Sequence, residues 1–261
     1  MSSYGVVCYI GMDMERIADK VVLWIKEQVL AAKAKGVVVG MSGGLDSSVT
    51  AVLCRRAFPQ NMLGVIMPCY SSPEDDEHAR AVASKFSIST KMVVLEPAFD
   101  ALLKVLPSDE VGPNASRVAE ANLKPRLRML TLYYLANQLN YLVAGASNRS
   151  ELSVGYFTKY GDGGADILPL GSLVKGQVRE LADFLGVPRV IIDKPPSAGL
   201  WSGQTDEDEL GFSYEELDRY LTTGQASIEM RQKIESMIEA NAHKRLPPPI
   251  ANLGKENKNG C

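Results

Sequence analysis

The stretch GVVVGMSGGLDSSV, residues 36–49, decides how the fold is read. Val37, Val38 and Val39 are β-branched and do not alternate with polar residues, the pattern of a short strand buried on both faces. Ser42, Gly43 and Gly44 interrupt the run, and apolar residues resume from Leu45. Glycines let a backbone approach a ligand closely and turn its N–H groups toward it, and a helix N-terminus adds partial positive charge. Strand, glycine turn and helix together make an anion site. No Lys follows the glycines as in G-x-x-x-x-G-K-[ST], and the string is not G-x-G-x-x-G. Asp46 is out of place beside an anion unless a divalent cation stands between the two. Taken alone, GGLD also fits an ordinary turn whose acid is favoured by the helix dipole.

Working outward, Ile17, Val21, Trp24, Ile25 and Ala32 recur at helical spacing over 14–35, and Gly36 is expected to end that helix. A helix is expected over 45–57, strands over 37–41, 62–68, 91–96 and 141–146, and a Leu- and Tyr-rich helix over 126–140. SSPEDDEHARAVASKF opens on Ser and Pro with acids behind them, which starts a helix. Residues 155–214, rich in Gly, Asp and Pro, read as loops, and a last helix runs over 227–244 before PPP at 247–249. Short apolar strands alternating with helices predict an α/β fold: a parallel sheet with helices on both faces, a three-layer sandwich. Ligands of such sheets sit beyond the carboxyl ends of the strands, where SGGLDSS, PCYSSPEDD and GASNRSE all fall. Residues 1–250 are expected to form one domain, with 251–261 a polar, disordered tail.

A net charge of −3 gives no bulk attraction to nucleic acid or anionic lipid. Cys8, Cys54, Cys69 and Cys261 are scattered, with no C-x-x-C pair. A reduced, cytoplasmic protein is therefore expected, with no signal peptide and no membrane span. The only histidines are His78 and His243, and no Ser-His-Asp or Cys-His set is apparent.

The string S-G-G-x-D-S after a buried strand resembles the pyrophosphate loop of the N-type ATP pyrophosphatases, with their adenine nucleotide alpha hydrolase-like fold. The long block GASNRSELSVGYFTKYGDGGADILPLGSLVKGQVRELADFLGVP (145–188) is similar to the centre of one branch, the NAD synthetases. The resemblance continues in NLKPRLRM (122–129), KPPSAGLWSGQTDEDELGFSYEELD (194–218) and HKRLPPP (243–249). It covers the chain in order and leaves no room for a glutaminase domain. It therefore implies the short, ammonia-dependent form, which converts nicotinate adenine dinucleotide (deamido-NAD), ATP and ammonia to NAD⁺, AMP and pyrophosphate through an adenylate.

The resemblance also implies roles. Gly40, Met41, Ser42, Gly43, Gly44, Leu45, Asp46 and Ser47 wrap the ATP phosphates. Asp46 and Glu151 hold Mg²⁺, and Lys175 contacts ATP. Ser197 stands where the family usually has a Thr that binds ATP. Arg126, Lys159, Asp166, His243 and Lys244 bind deamido-NAD, and Asp162 lies near the ammonia. Ala146 departs from the pattern, because the family's Thr there is an ATP contact. The resemblance further implies a homodimer with the substrate site at the interface. Plainer readings stand beside these. Asn148-x-x-Glu151 has the spacing of a capping box. Lys175 reads as an exposed loop lysine, and His243 and Lys244 as cations at a helix C-terminus. Residues 195–210 are expected to close as a lid over bound nucleotide. The alternatives kept open are adenylation of another substrate, such as a tRNA base, and a nucleotide-binding module without catalysis.

Overall fold

A computed structural model describes residues 13–107, 113–197, 199 and 205–251. Its elements, in chain order, are α1 (Met14–Ala31), β1 (Gly36–Gly40), α2 (Leu45–Ala57), β2 (Met62–Ile66), α3 (Pro73–Lys85), β3 (Thr90–Met92) and α4 (Glu96–Val105). Then follow α5 (Pro113–Ala121), α6 (Leu123–Leu139), β4 (Tyr141–Ala144), α7 (Arg149–Val154), α8 (Lys175–Leu185) and α9 (Arg189–Ile192). The chain continues through α10 (Asp206–Leu210), α11 (Tyr214–Thr223), α12 (Ile228–Ala240) and α13 (Ala242–Arg245).

The sheet is parallel throughout, in the order β3-β2-β1-β4. Val37 and Val39 of β1 point into one face, packed against α1, α2, α3, α8 and α9. Val38 points into the other, with Val65, Val143, Phe99 of α4, and Leu135 and Ala136 of α6. One strand thus supplies side chains to two cores, which is why it shows no alternation. The topology reverses between β1 and β4, so the carboxyl end of β1 opens onto a crevice suited to a ligand. A third cluster (Val154, Leu210, Phe212, Tyr214, Leu217 and Ile234) gathers α7, α10, α11 and α12 beside that crevice.

The structure differs from the expected elements in several places, among them the strand expected over 91–96, which is confined to Thr90–Met92 while Glu96 already begins α4. Helix α1 stops at Ala31, before the left-handed Lys33, and Gly36 begins β1 instead of ending the helix. A Cβ on Gly36 would lie 1.9 Å from the Asn61 carbonyl oxygen, so its glycine serves strand packing. The segment 155–214 contains three whole helices, α8, α9 and α10, where loops were expected. Val178, Leu181, Ala182 and Leu185 are buried on one side of α8 at spacings of three and four, a period hidden by the glycine-rich sequence before it. The last expected helix is broken at Asn241 into α12 and α13. Residues 252–261 of the expected tail lie outside the described residues. Among the described residues, no helix is long and apolar enough to cross a membrane.

Candidate active site

The loop between β1 and α2 is shaped by its own serines. Ser47 Oγ donates to the Gly44 carbonyl at 3.0 Å and lies 3.0 Å from Ser42 Oγ, while Ser42 Oγ accepts from Gly44 N–H. Ser48 Oγ also donates to Gly44 O, at 2.8 Å. These hydroxyls fix the turn that aims the first N–H groups of α2, which have no acceptor within the helix, out into the crevice. Met41 and Leu45 are core residues, and the Met41 N–H is already bonded to Val65 O at 2.8 Å. Gly43 has φ +78°, and a Cβ there would stand 2.1 Å from the Asp75 carbonyl oxygen. Gly43→Ala therefore combines left-handed strain with a backbone clash. We expect it to cost about 1–3 kcal/mol of stability, read by urea denaturation, and to weaken nucleotide binding.

Beside the loop stands a compact ionic cluster. Lys175 Nζ lies 2.6 Å from Asp46 Oδ2 and 3.1 Å from Glu151 Oε1, and its side chain is 7% exposed. Three elements supply it: the first turn of α2, the first turn of α7, and the first residue of α8. A cation at a helix N-terminus opposes the dipole, so the two carboxylates must hold Lys175 there. The start of α8 has its own anion: Asp218 of α11 accepts from Gly176 N–H at 2.7 Å and from Ser150 Oγ at 2.5 Å. Asp46 Oδ1 accepts from Asn148 Nδ2 at 2.9 Å.

Glu151 completes the expected capping box of α7 with one oxygen, Oε2, which accepts the Asn148 N–H at 3.3 Å, and turns the other, Oε1, toward Lys175. Burial pushes the Glu151 carboxyl up to about 7; the Lys175 ammonium opposes this and the Asp46 charge adds to it. Burial alone would lower Lys175, but Asp46 and Glu151 outweigh it and hold the ammonium above its ordinary value. The exposed-lysine reading of Lys175 is thereby overturned.

Around this cluster lies a cavity of about 1140 Å³. The loop residues other than Gly43 line it, as do Ala146, Asp162, Ser197 and Lys244, together with Asp46, Glu151 and Lys175. Its described lining carries eight carboxylate side chains against five cationic ones. A polyanion enters such a space only with added positive charge. Asp162 opens onto the cavity, where desolvation raises its carboxyl and the Thr158 N–H, donated at 2.9 Å, lowers it.

Arg126, Lys159, Asp166 and His243 do not line this cavity. Arg126 reaches the Lys159 carbonyl, and Lys159 Nζ donates to the His243 carbonyl at 2.7 Å. Asp166 accepts from Val143 N–H and Tyr133 Oη, tying the 158–166 loop to β4. Lys244 does not cap its own helix. It donates to Gly155 O and Phe157 O at 2.9 and 3.1 Å, while Asn241 donates to Val154 O and Arg245 to Ser153 O. The segment 241–245 thus satisfies the orphan carbonyls at the end of α7. Ser197 Oγ accepts from Gly199 N–H at 3.1 Å. Residues 198 and 200–204 of the expected lid lie outside the described residues.

Sequence reasoning missed Tyr214 and Asp206. Lys175 Nζ sits 5.0 Å from the Tyr214 ring centroid, within cation–π range. Tyr214 Oη donates to Asp206 Oδ2 at 3.1 Å and is 3.5 Å from Glu151 Oε1. Tyr156 Oη lies 3.1 Å from the other Asp206 oxygen and 2.7 Å from Glu209. Both fall in the stretch 155–214 that was expected to be loops, and Tyr214 in fact follows Ser213, the cap of α11. Among the described residues Cys54 and Cys69 are buried free thiols, and burial pushes Cys54 up to about 12, no setting for a nucleophile.

The model of the NAD synthase family matches residues 17–248. A curated relative from Carboxydothermus hydrogenoformans, an NH(3)-dependent NAD(+) synthetase, is 48% identical over 93% of this chain and 99% of its own length. Among solved structures, NMN synthetase from Francisella tularensis superposes with a TM-score of 0.87 at 38% identity, covering 92% of this chain and 99% of that one. The NH3-dependent NAD synthetase from Campylobacter jejuni, in complex with the nitrate ion, gives 0.75 at 31% identity, covering 93% and 100%. A phosphate-type loop, a buried two-carboxylate cluster beside it and a match that runs almost from end to end agree: the chain belongs to the NAD synthase family.

Proposed function

We propose that the chain amidates nicotinate adenine dinucleotide with ammonia at the expense of ATP, giving NAD⁺, AMP and pyrophosphate, the last step of NAD biosynthesis. The observation that carries this reading is the Asp46–Lys175–Glu151 cluster at the mouth of the phosphate loop. The donor set suits Mg²⁺, which is held by one or two carboxylates and takes its remaining oxygens from phosphate and water. Both carboxylates face one point, and acid exceeds base across the cavity lining. Asp46 and Glu151 would hold the ion, and the ion would neutralise phosphate charge as pyrophosphate departs.

The chain's own groups supply the rest. The N–H groups at the start of α2 bind and orient the phosphates so that the nicotinate carboxylate attacks the α-phosphorus in line. Lys175 neutralises charge on the phosphate oxygens. Ammonia then attacks the carbonyl carbon of the adenylate, its lone pair forming the C–N bond as the C–O bond to AMP breaks. Asp162, at the cavity wall, receives the proton that nitrogen must lose. No protein nucleophile takes part; positioning and charge neutralisation do the work. Arg126, Lys159, Asp166 and His243 are assigned to the dinucleotide across a homodimer interface, which accounts for their place outside the cavity of one protomer. We assign residues 1–250 to one domain and the enzyme to the cytoplasm. Pyrophosphate release that depends on deamido-NAD, with NAD⁺ formed in equal amount, tests the reaction.

One observation favours a second substrate. The likeness to an NMN synthetase, with four proposed dinucleotide residues lying outside the cavity, points to nicotinate mononucleotide as an acceptor. The reacting carboxylate is the same in both. Comparison of kcat/KM for the two nucleotides decides: higher efficiency on the mononucleotide would displace the dinucleotide reading.

Ala146, half-buried in the cavity wall, offers ATP no hydroxyl. Ala146→Thr is expected to tighten ATP binding by the worth of one hydrogen bond, about 0.5–1.5 kcal/mol, or leave it unchanged. A marked rise in KM for ATP would show that the wall has been rebuilt around alanine.

A further inference from the structure

Lys175 stands at the point on which Asp46 Oδ2 and Glu151 Oε1 converge, 2.6 and 3.1 Å from them. The ring of Tyr214 presents its face to the same ammonium at 5.0 Å, and Asp206 is the next carboxylate out, reached through the Tyr214 hydroxyl. An ammonium so placed is enclosed as a cation in a site would be: two anionic oxygens, an aromatic face and almost no solvent.

These are the two carboxylates assigned above to a divalent ion, and the inference rests on that assignment. Two cations cannot share one point between the same oxygens, because their repulsion at contact distance in a buried site is large. We propose that Lys175 is the resident counter-cation of the metal site. It keeps Asp46 and Glu151 together before substrate arrives, and it must leave when the metal enters. Its long, unbranched stem lets the ammonium turn toward the phosphate loop, whose first residues border the same cavity. Phosphate arriving with the metal gives the displaced ammonium a new partner. Free metal has no such compensation. The site therefore discriminates against bare divalent cation and accepts the metal–nucleotide complex, and the lysine reaches the phosphates in step with the metal.

The test needs no turnover. Mn²⁺ binding is measured by electron paramagnetic resonance on the full chain without nucleotide. Lys175→Met keeps the stem and removes the charge, so Mn²⁺ should bind this variant at least about tenfold more tightly than wild type, the competing charge being gone. Asp46→Asn added to Lys175→Met should abolish the gain. Thermal melting gives a second readout: Mg²⁺ alone should leave wild type unchanged and raise the Tm of Lys175→Met. Equal Mn²⁺ affinity in the two proteins, or equal stabilisation by Mg²⁺ alone, would overturn the proposal. Should Lys175→Met fail to fold, Tyr214→Leu serves, because it loosens the ammonium without removing it. Mn²⁺ affinity should then rise several-fold, and no rise would overturn the proposal. NAD⁺ formation by the same wild-type preparation separates the two readings. Turnover with equal Mn²⁺ affinities rejects only the counter-cation role; absent turnover with the expected Mn²⁺ difference rejects only the reaction.

Discussion

Asp46→Asn and Glu151→Gln are each expected to lower kcat by about a hundred- to a thousand-fold, the range for removing one group that stabilises transition-state charge. The folded chain should survive both changes. Glutamine at 151 keeps an oxygen that can accept the Asn148 N–H, so the start of α7 stays capped while the charge facing Lys175 is lost. Asparagine at 46 keeps an acceptor for Asn148 Nδ2. Steady-state rates across a Mg²⁺ series, beside circular-dichroism melting curves, separate function from folding. A Glu151→Gln enzyme nearly as fast as wild type at saturating Mg²⁺ would reduce Glu151 to its capping role.

The second large effect is in pH. Only unprotonated NH₃ has the lone pair that attacks a carbonyl, and ammonium has a pKa well above 7. Below that pKa, each pH unit raises the NH₃ fraction about tenfold. A second group adds to this below neutrality. The Glu151 carboxyl, raised by burial to about 7, must be ionised to serve beside Asp46. The logarithm of kcat/KM for total ammonia should therefore rise with a slope of about one above pH 7 and more steeply below it, because the enzyme that meets ammonia must carry an ionised Glu151. Glu151→Gln should lose the extra slope. The same group makes folding pH-sensitive. Its folded pKa exceeds the ordinary 4.5, so it contributes stability that is complete below 4.5 and is lost as pH rises through about 7. A parallel series with glutamine, using protein free of amidotransferases, completes the test. Glutamate formed in step with NAD⁺ would sink the ammonia-dependent assignment.

Much of the architecture was legible because a parallel strand buried on both sides writes itself as an unbroken β-branched run. Val37–Val39 and the glycines after them announced both the sheet and the ligand edge, and α2 falls at the residues expected for it. The edge strand β3 was misjudged in length, because its described residues are exposed and its apolar stretch runs on past the last paired position. Helix α8 was lost in a glycine- and aspartate-rich neighbourhood. At the site, Asp46, Glu151 and Lys175 are 105 and 24 residues apart in sequence; no spacing joins them, the family resemblance implied a shared metal for the two acids, and the fold shows Lys175 between them. Tyr214 and Asp206 carry no local signature at all. Their part depends on α11 lying across the start of α8, a tertiary fact that no spacing encodes.

The clasp formed by residues 241–245 on the end of α7 has a consequence for how the protein comes to be active. Glu151 belongs to a helix of six residues, too short to persist alone. Its last carbonyls are completed by Asn241, Lys244 and Arg245, about ninety residues later in the chain. On the ribosome, the sheet and the phosphate loop can assemble while α7 still lacks these partners, and the cluster around Lys175 is finished only when translation has passed Arg245. A nascent chain that has not reached Arg245 would thus hold a formed nucleotide cradle without the Glu151 carboxylate fixed in place. Synthesis itself withholds the completed cluster until Arg245 has been added.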